Sequence, residues 1–299
     1  MKAILLAGGF GTRAKPFSDY LPKALIPLDG RPVIDYIIRY LAKFPEISEL
    51  IIVCEFDRFG KQIINYFDGK ETLIGKSITF VEDKKNGTGG ALLNVEKNVM
   101  EDVSEDDDVC FLVWFADNLC ALKIDDMIWQ YNRINNNTPG RGRQEEEKEE
   151  KATITGMVVV RNRRFQETGR VILDKKWNYT VVEDDPHNYN HNDNDVIALI
   201  KQFTEKGVVK LDQPEAVGIY LFNRRIFDYL HNKLKQVQNH NGGHSSFDLS
   251  HDILEQIPRT GRLFSFDIGK NIEWVDIESP MYAERNKDII KNILSQMKW

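Results

Sequence analysis

Two cations, Arg13 and Lys23, stand ten residues apart near the start of the chain, and just before them Gly8, Gly9 and Gly11 fall within four residues. Glycines at that density leave successive backbone N–H groups uncovered, free to turn together toward phosphate oxygens. Arg13 and Lys23 add fixed positive charge beside that cradle, so the chemistry on offer is the handling of a polyphosphate. Gly87, Gly89 and Gly90 form a second cluster, where missing side chains let a flat base lie close to the backbone. Asp117 follows the most apolar run of the chain, Val109 to Phe115, where a cation-bound phosphate would need a hard oxygen ligand. Each feature has a plainer reading beside it: tight packing for the glycines, and a helix cap ahead of Lys123 to Ile134 for Asp117.

The elements that must carry these residues alternate. Ala3 to Leu6 is an apolar run of strand length that stops at the first glycine cluster. Asp29-Gly30 makes a turn, and Val33, Ile34, Ile37, Ile38 and Leu41 then recur at helical spacing. Glu49 to Cys54 is the next strand, Asp57 to Phe67 a helix, Ser77 to Val81 a strand, and Leu92, Leu93 and Val95 a helix. Such alternation predicts an α/β fold with a Rossmann-like, mostly parallel sheet flanked by helices, whose ligands gather at the carboxyl ends of the strands. In the second half, Thr153 to Val160, Gly169 to Leu173, Trp177 to Val182 and Arg262 to Phe266 read as strands, and a helix closes the chain from Pro280. Two polar tracts, 135–151 and 187–195, read as solvated insertions without catalytic residues.

Of the 299 residues 41% are hydrophobic, enough for a sizeable core. Forty basic against 46 acidic side chains leave a net charge of −6, which argues against nucleic acid as a partner and for a small nucleotide. No run approaches the roughly 20 apolar residues of a membrane span, and the N-terminus lacks the pattern of a cleaved signal. Cys54, Cys110 and Cys120 are odd in number and without metal-ligand spacing, and they read as reduced core thiols of a cytoplasmic protein.

Leu6-Ala7-Gly8-Gly9-x-Gly11-Thr12-Arg13, with Pro22-Lys23 ten residues on, resembles the signature of the sugar-1-phosphate nucleotidylyltransferases, also called NDP-sugar pyrophosphorylases. Gly87-Thr88-Gly89-Gly90-Ala91 resembles the family's second glycine turn, near the base and sugar. Asp117 matches the aspartate of its magnesium motif, with Ala116 where glycine is common. Glu205-Lys206-Gly207 looks like its Glu-Lys-Pro element, Gly218 to Phe222 follows in the expected order, and Ser246 to Leu254 resembles a family helix. Trp274 to Ile277 resembles its Trp-x-Asp-Ile segment, here continued by Glu278-Ser279-Pro280 in place of Gly-Thr-Pro. In motif the chain is nearest to mannose- and heptose-1-phosphate guanylyltransferases.

The resemblance implies one nucleotidyltransferase domain over 1–299, with a nucleotide half to about 130, the polar insertion at 135–151 and a sugar half over 152–299. It implies transfer of a nucleotidyl group from an NTP to a sugar 1-phosphate, with pyrophosphate leaving. Leu6, Ala7, Gly8, Gly9, Gly11, Thr12 and Arg13 would hold the triphosphate, Lys23 would reach its α-phosphate side, and Gly87 and Thr88 would lie by the base. Asp117 and Asp276 would bind Mg2+, and Gly169, Glu205, Lys206 and Gly218 would line the sugar phosphate. Glu82 stands five residues before Gly87, where many thymidylyl- and uridylyltransferases of the family carry glutamine. An ionised carboxylate accepts the adjacent N1–H and amine of guanine, so GTP is the expected donor; the other reading leaves Glu82 in solvent. A thymidylyl-, uridylyl- or cytidylyltransferase, or a non-catalytic sugar-nucleotide sensor, is the alternative, and a homo-oligomer is left open. No hexapeptide repeat is present, so no C-terminal β-helix is expected.

Overall fold

The computed structural model describes residues 1–9, 11–57, 59–101, 109–136, 154–161, 170–173, 198–204, 214–240, 246–260 and 262–298. In chain order the strands are β1 (Lys2–Leu6), β2 (Pro27–Leu28), β3 (Arg31–Pro32), β4 (Glu49–Cys54), β5 (Ser77–Glu82), β6 (Cys110–Phe115) and β7 (Asn118–Cys120). They continue as β8 (Ile154–Arg161), β9 (Arg170–Leu173), β10 (Ala198–Thr204), β11 (Glu215–Asn223), β12 (Arg262–Asp267) and β13 (Trp274–Asp276). Nine of them form one sheet in the order β5-β4-β1-β6-β11-β8-β12-β10-β9. The pairs from β5 to β6 are parallel, and β11 and β10 alone run against the other seven. The mostly parallel sheet expected from the alternation is therefore present, with reversed strands in its second half.

The two faces of the sheet are separate cores. On β1, Ala3 and Leu5 point into one and Ile4 and Leu6 into the other, the period-two alternation that a sheet covered on both sides turns into a continuous apolar run. The helix Val33–Ala42 covers the first face through Ile34, Ile37, Ile38 and Leu41, all buried. It starts at Pro32, which the β2–β3 hairpin turning at Asp29-Gly30 delivers to its N-terminus.

Several elements differ from the sequence reading, and the closing helix from Pro280 is two, Pro280–Arg285 and Lys287–Gln296. The helix expected from Asp57 begins at Gly60, and Glu55, Asp57 and Phe59 line a cleft instead. Val95 lies outside the helix Gly87–Leu93, and a separate short helix runs over Glu96–Met100. The segment Ser246 to Leu254 forms a π-helical turn, Leu249–Leu254, whose start is capped by the Asp248 carboxylate accepting from the N–H groups of Ser250 and His251. The expected strand Trp177 to Val182 and the tracts 137–151 and 187–195 lie outside the described residues. Among the described residues no helix is long and apolar enough to cross a membrane.

Candidate functional site

The parallel strands place their carboxyl ends along one edge, and Ala7 continues β1 in register by donating to the Val53 carbonyl. Beyond it the chain turns at Gly9 (φ 114°) and Gly11 (φ 56°), both in the left-handed region that side chains disfavour. A short helical turn, Thr12–Ala14, follows, and then a loop that returns through Lys23.

Asp117 ends the extension of β6, and Asp276 ends β13. The β7–β13 ribbon joins them, pairing Asn118 with Asp276, and the Ile277 N–H donates to the Asp117 carbonyl at 2.8 Å. Lys23 Nζ donates to Asp117 Oδ2 at 2.6 Å and to Asp276 Oδ1 at 3.0 Å. All three side chains are largely shielded from water. Burial by itself would lower the Lys23 pKa, but the charges and hydrogen bonds of Asp117 and Asp276 outweigh it and raise it above the ordinary value. Burial, and then the charge of Asp117, push Asp276 up to about 6 against the pull of Lys23. One cation between two carboxylates leaves the cluster one positive charge short. The Asp117 carboxylate accepts from Lys23, and the helix of the capping alternative begins later, at Ile124.

Two carboxylate oxygens that converge on one cationic atom are the donor set that Mg2+ takes when substrate phosphates and water complete its shell. Among the described residues no group of three or more His, Cys, Asp or Glu is placed to hold a metal ion, so Asp117 and Asp276 form a pair that needs such completion.

A cleft of about 160 Å³ opens beside the glycine loop, lined by Ala7, Gly8, Gly9, Gly11 and Lys23 among others. Its far wall was not foreseen: Glu55, Asp57 and Phe59 past the end of β4, and Lys85 past the end of β5. Lys85 Nζ pairs with Glu55 at 3.1 Å and Asp57 at 3.3 Å. The signal was available, since these residues follow strands of the same sheet edge as Gly8. Cys54 also lines the cleft, and burial, then the charges of Asp83 and Glu55, push its thiol up to about 12, so it is an inert wall. Arg13 Nη1 meets Glu278 Oε1 at 2.5 Å, an ion pair made by the residue that stands where glycine was expected.

The second glycine turn is held from outside. A Cβ on Gly87 (φ 81°) would lie 2.3 Å from the Phe247 carbonyl oxygen, and the Gly89 N–H donates to that same oxygen. Thr88 Oγ1 donates to Asp248 Oδ2 and accepts from the Leu249 N–H, both at 2.8 Å. Glu82 is exposed, whereas Asp83 is part-buried over Gly8. Gly218 (φ 73°) sits in β11 against Asn118, next to Asp117. Gly169, Glu205 and Lys206 lie outside the described residues, although the neighbours Arg170 and Thr204 are register partners across β9 and β10.

A network with no local sequence signal supports the ribbon. Arg161, at the end of β8, donates from Nε to Glu215 Oε1 at 2.5 Å and from Nη1 to the Trp274 carbonyl at 3.1 Å. Its guanidinium carbon lies 4.2 Å from the centroid of the Trp274 ring, whose Nε1 donates to the Val217 carbonyl. Arg161 and Glu215 are both buried.

The profile described as "Nucleotidyl transferase" matches residues 2–281. A mannose-1-phosphate guanyltransferase of Pichia angusta is 25% identical over 281 residues, 94% of this chain and 61% of that protein. A D-glycero-alpha-D-manno-heptose 1-phosphate guanylyltransferase of Campylobacter jejuni is 35% identical over 100 residues, 33% of this chain and 43% of that protein. The fold matches a glucose-1-phosphate thymidylyltransferase structure from Bacillus anthracis with a TM-score of 0.67 at 18% identity, covering 97% of this chain and 94% of that one. The chain spans about six-tenths of the length of the curated relatives it matches over most of its own.

Proposed function

The chain belongs to the nucleotidyl transferase family, and on that premise we propose that it transfers a nucleotidyl group, guanylyl first among them, from an NTP to a sugar 1-phosphate. The observation that carries this reading is the convergence of Asp117 and Asp276 on Lys23 beside the glycine cradle. An oxygen of the sugar phosphate forms a bond to the α-phosphorus as the bond from that phosphorus to the pyrophosphate oxygen breaks. The attacking oxygen is already ionised at neutral pH, so the site needs no general base; its work is positioning and charge neutralisation.

In this assignment Gly8, Gly9, Gly11 and Thr12 hold the triphosphate, and Arg13, released from Glu278, adds charge to its leaving end. Lys23 swings between the carboxylate pair and the α-phosphate side. Asp117 and Asp276 would hold Mg2+, which would supply positive charge against the phosphates. Gly218 lines the sugar side, and Gly169, Glu205 and Lys206 are assigned to the acceptor by resemblance. Guanine is favoured because the named activities of two relatives are guanylyl transfers and because Glu82 offers only acceptors.

The test crosses GTP, UTP, dTTP, CTP and ATP with glucose, mannose, heptose and N-acetylglucosamine 1-phosphates and follows pyrophosphate release. Release that requires a sugar 1-phosphate and is fastest with GTP is expected. Release indifferent to the sugar phosphate, or absent from every pairing, would overturn the assignment.

A further inference from the structure

We propose that Arg161, held by Glu215, is the positioning residue for Asp276, fixing the ribbon that brings the second carboxylate to the metal. The inference rests on the reading of Asp276 as a ligand, and it concerns residues that touch neither metal nor substrate.

The ribbon needs an anchor. β7 and β13 are three residues each and, among the described residues, pair only with one another, outside the nine-stranded sheet. A two-stranded ribbon that short is not held by its own hydrogen bonds. Arg161 and Glu215, by contrast, belong to adjacent central strands and are register partners. The guanidinium joins the two structures. One edge is fixed by Glu215, another N–H holds the Trp274 carbonyl two residues before Asp276, and its central carbon lies over the Trp274 ring. The indole is pinned in turn by the Val217 carbonyl, on the same strand as Glu215.

Those contacts fix both the backbone and the side chain of the residue that starts β13. A planar fork can meet a carboxylate, a carbonyl and an aromatic face together, and an ammonium cannot. A buried ion pair is weak evidence for stability in itself, since apolar residues of like size often replace it without loss. Its place at the end of β8, bonded to the ribbon that carries Asp276, is therefore better explained by what it orients.

The experiment is Mn2+ titration, read from loss of the free aquo-ion EPR signal, on Arg161→Lys, on the double variant Arg161→Met/Glu215→Leu, and on Asp276→Asn. Arg161→Lys keeps a charge beside Glu215 but gives up the bridge to the Trp274 carbonyl and the guanidinium over its ring. It is expected to melt within a few degrees of the parent while binding Mn2+ about tenfold more weakly, the usual consequence of losing a partner behind a metal ligand. Its turnover at saturating metal should fall by less than its metal affinity. The double variant is expected to do the same. Unchanged Mn2+ affinity in a folded Arg161→Lys overturns the inference, and so does failure of both variants to fold, which would make the pair structural only. Asp276→Asn separates the two readings: if it binds Mn2+ as the parent does, the ligand assignment itself falls, whereas its loss alongside a parent-like Arg161→Lys removes only the positioning role.

Discussion

A Cβ built on Gly8 would lie 1.7 Å from Asp83 Oδ2 and 2.8 Å from its Cγ, but 3.3 Å from its Cβ. The first glycine of the cradle is therefore required by the neighbouring strand end as well as by any phosphate. Gly8→Ala should destabilise the chain by about 1–3 kcal/mol, as other overpacked sites do. Removing the carboxylate should return most of that loss, so Gly8→Ala/Asp83→Ala should melt above Gly8→Ala alone. A thermal denaturation cycle over the four proteins checks it, and additive losses would show that the clash is relieved elsewhere.

Asp117→Asn and Asp276→Asn should each cut turnover by about a hundredfold or more with the fold intact, because each removes charge opposite concentrated phosphate charge. Steady-state rates across a Mg2+ titration, with circular dichroism as the control, decide this. Rates near the parent's in both variants would remove the assignment.

Glu82→Gln should shift donor preference from GTP toward UTP or dTTP by about ten- to hundredfold, since an amide can donate to a uracil-type carbonyl and a carboxylate cannot. The readout is the ratio of kcat/KM between donors. Glu82 is exposed in the structure, so an unchanged ratio would place it in solvent throughout the cycle.

Burial raises the Asp83 carboxyl above its ordinary value of 3.8, against the opposing Lys85 amide and charge. The folded chain thus takes up this proton more readily than the unfolded one, so its ionisation costs stability as pH rises past that value and costs nothing below it. Asp83→Asn should therefore have the higher Tm at neutral pH, with the difference vanishing below pH 3.8. Calorimetry over an acid-to-neutral series reads the sign, and a lower Tm at neutral pH would contradict it.

The parallel half was legible because fully buried strands are written as short apolar runs that end in glycine or acid. Glu49–Cys54 matches the expectation at both ends, and β1 and β6 differ from it by a single residue at the start. Gly8 and Asp117 follow from the same rule, since the edge of such a sheet is where its strands stop, whereas Lys23 opens a short helical turn and was read from its motif and charge. Asp276 was reached only through a motif, because nothing near it in sequence says that it pairs with Asn118. Arg161 and Glu215 left no trace at all: their partnership depends on two strands 54 residues apart lying side by side. Thr88 carries a bond that its glycine turn does not announce, its hydroxyl joined to Asp248 and the Leu249 amide.

The place of β11 has a consequence for synthesis. It lies between β6 and β8 although it follows both in the chain, and among the described residues β8 pairs only with β11 and β12. A chain ending at residue 204 holds β1, β4, β5 and β6 but lacks β11, so the far edge of β6, Cys110–Phe115, has no strand to pair with. That edge is the most apolar in the protein, and a row of unmet N–H and C=O groups on such a strand is a template for other chains. The ribosome must deliver residues 215–223 before it is sealed, so the vulnerable interval is written into the order of the strands. Fragments that stop short of it should precipitate for want of one strand, however complete their glycine loop and cations.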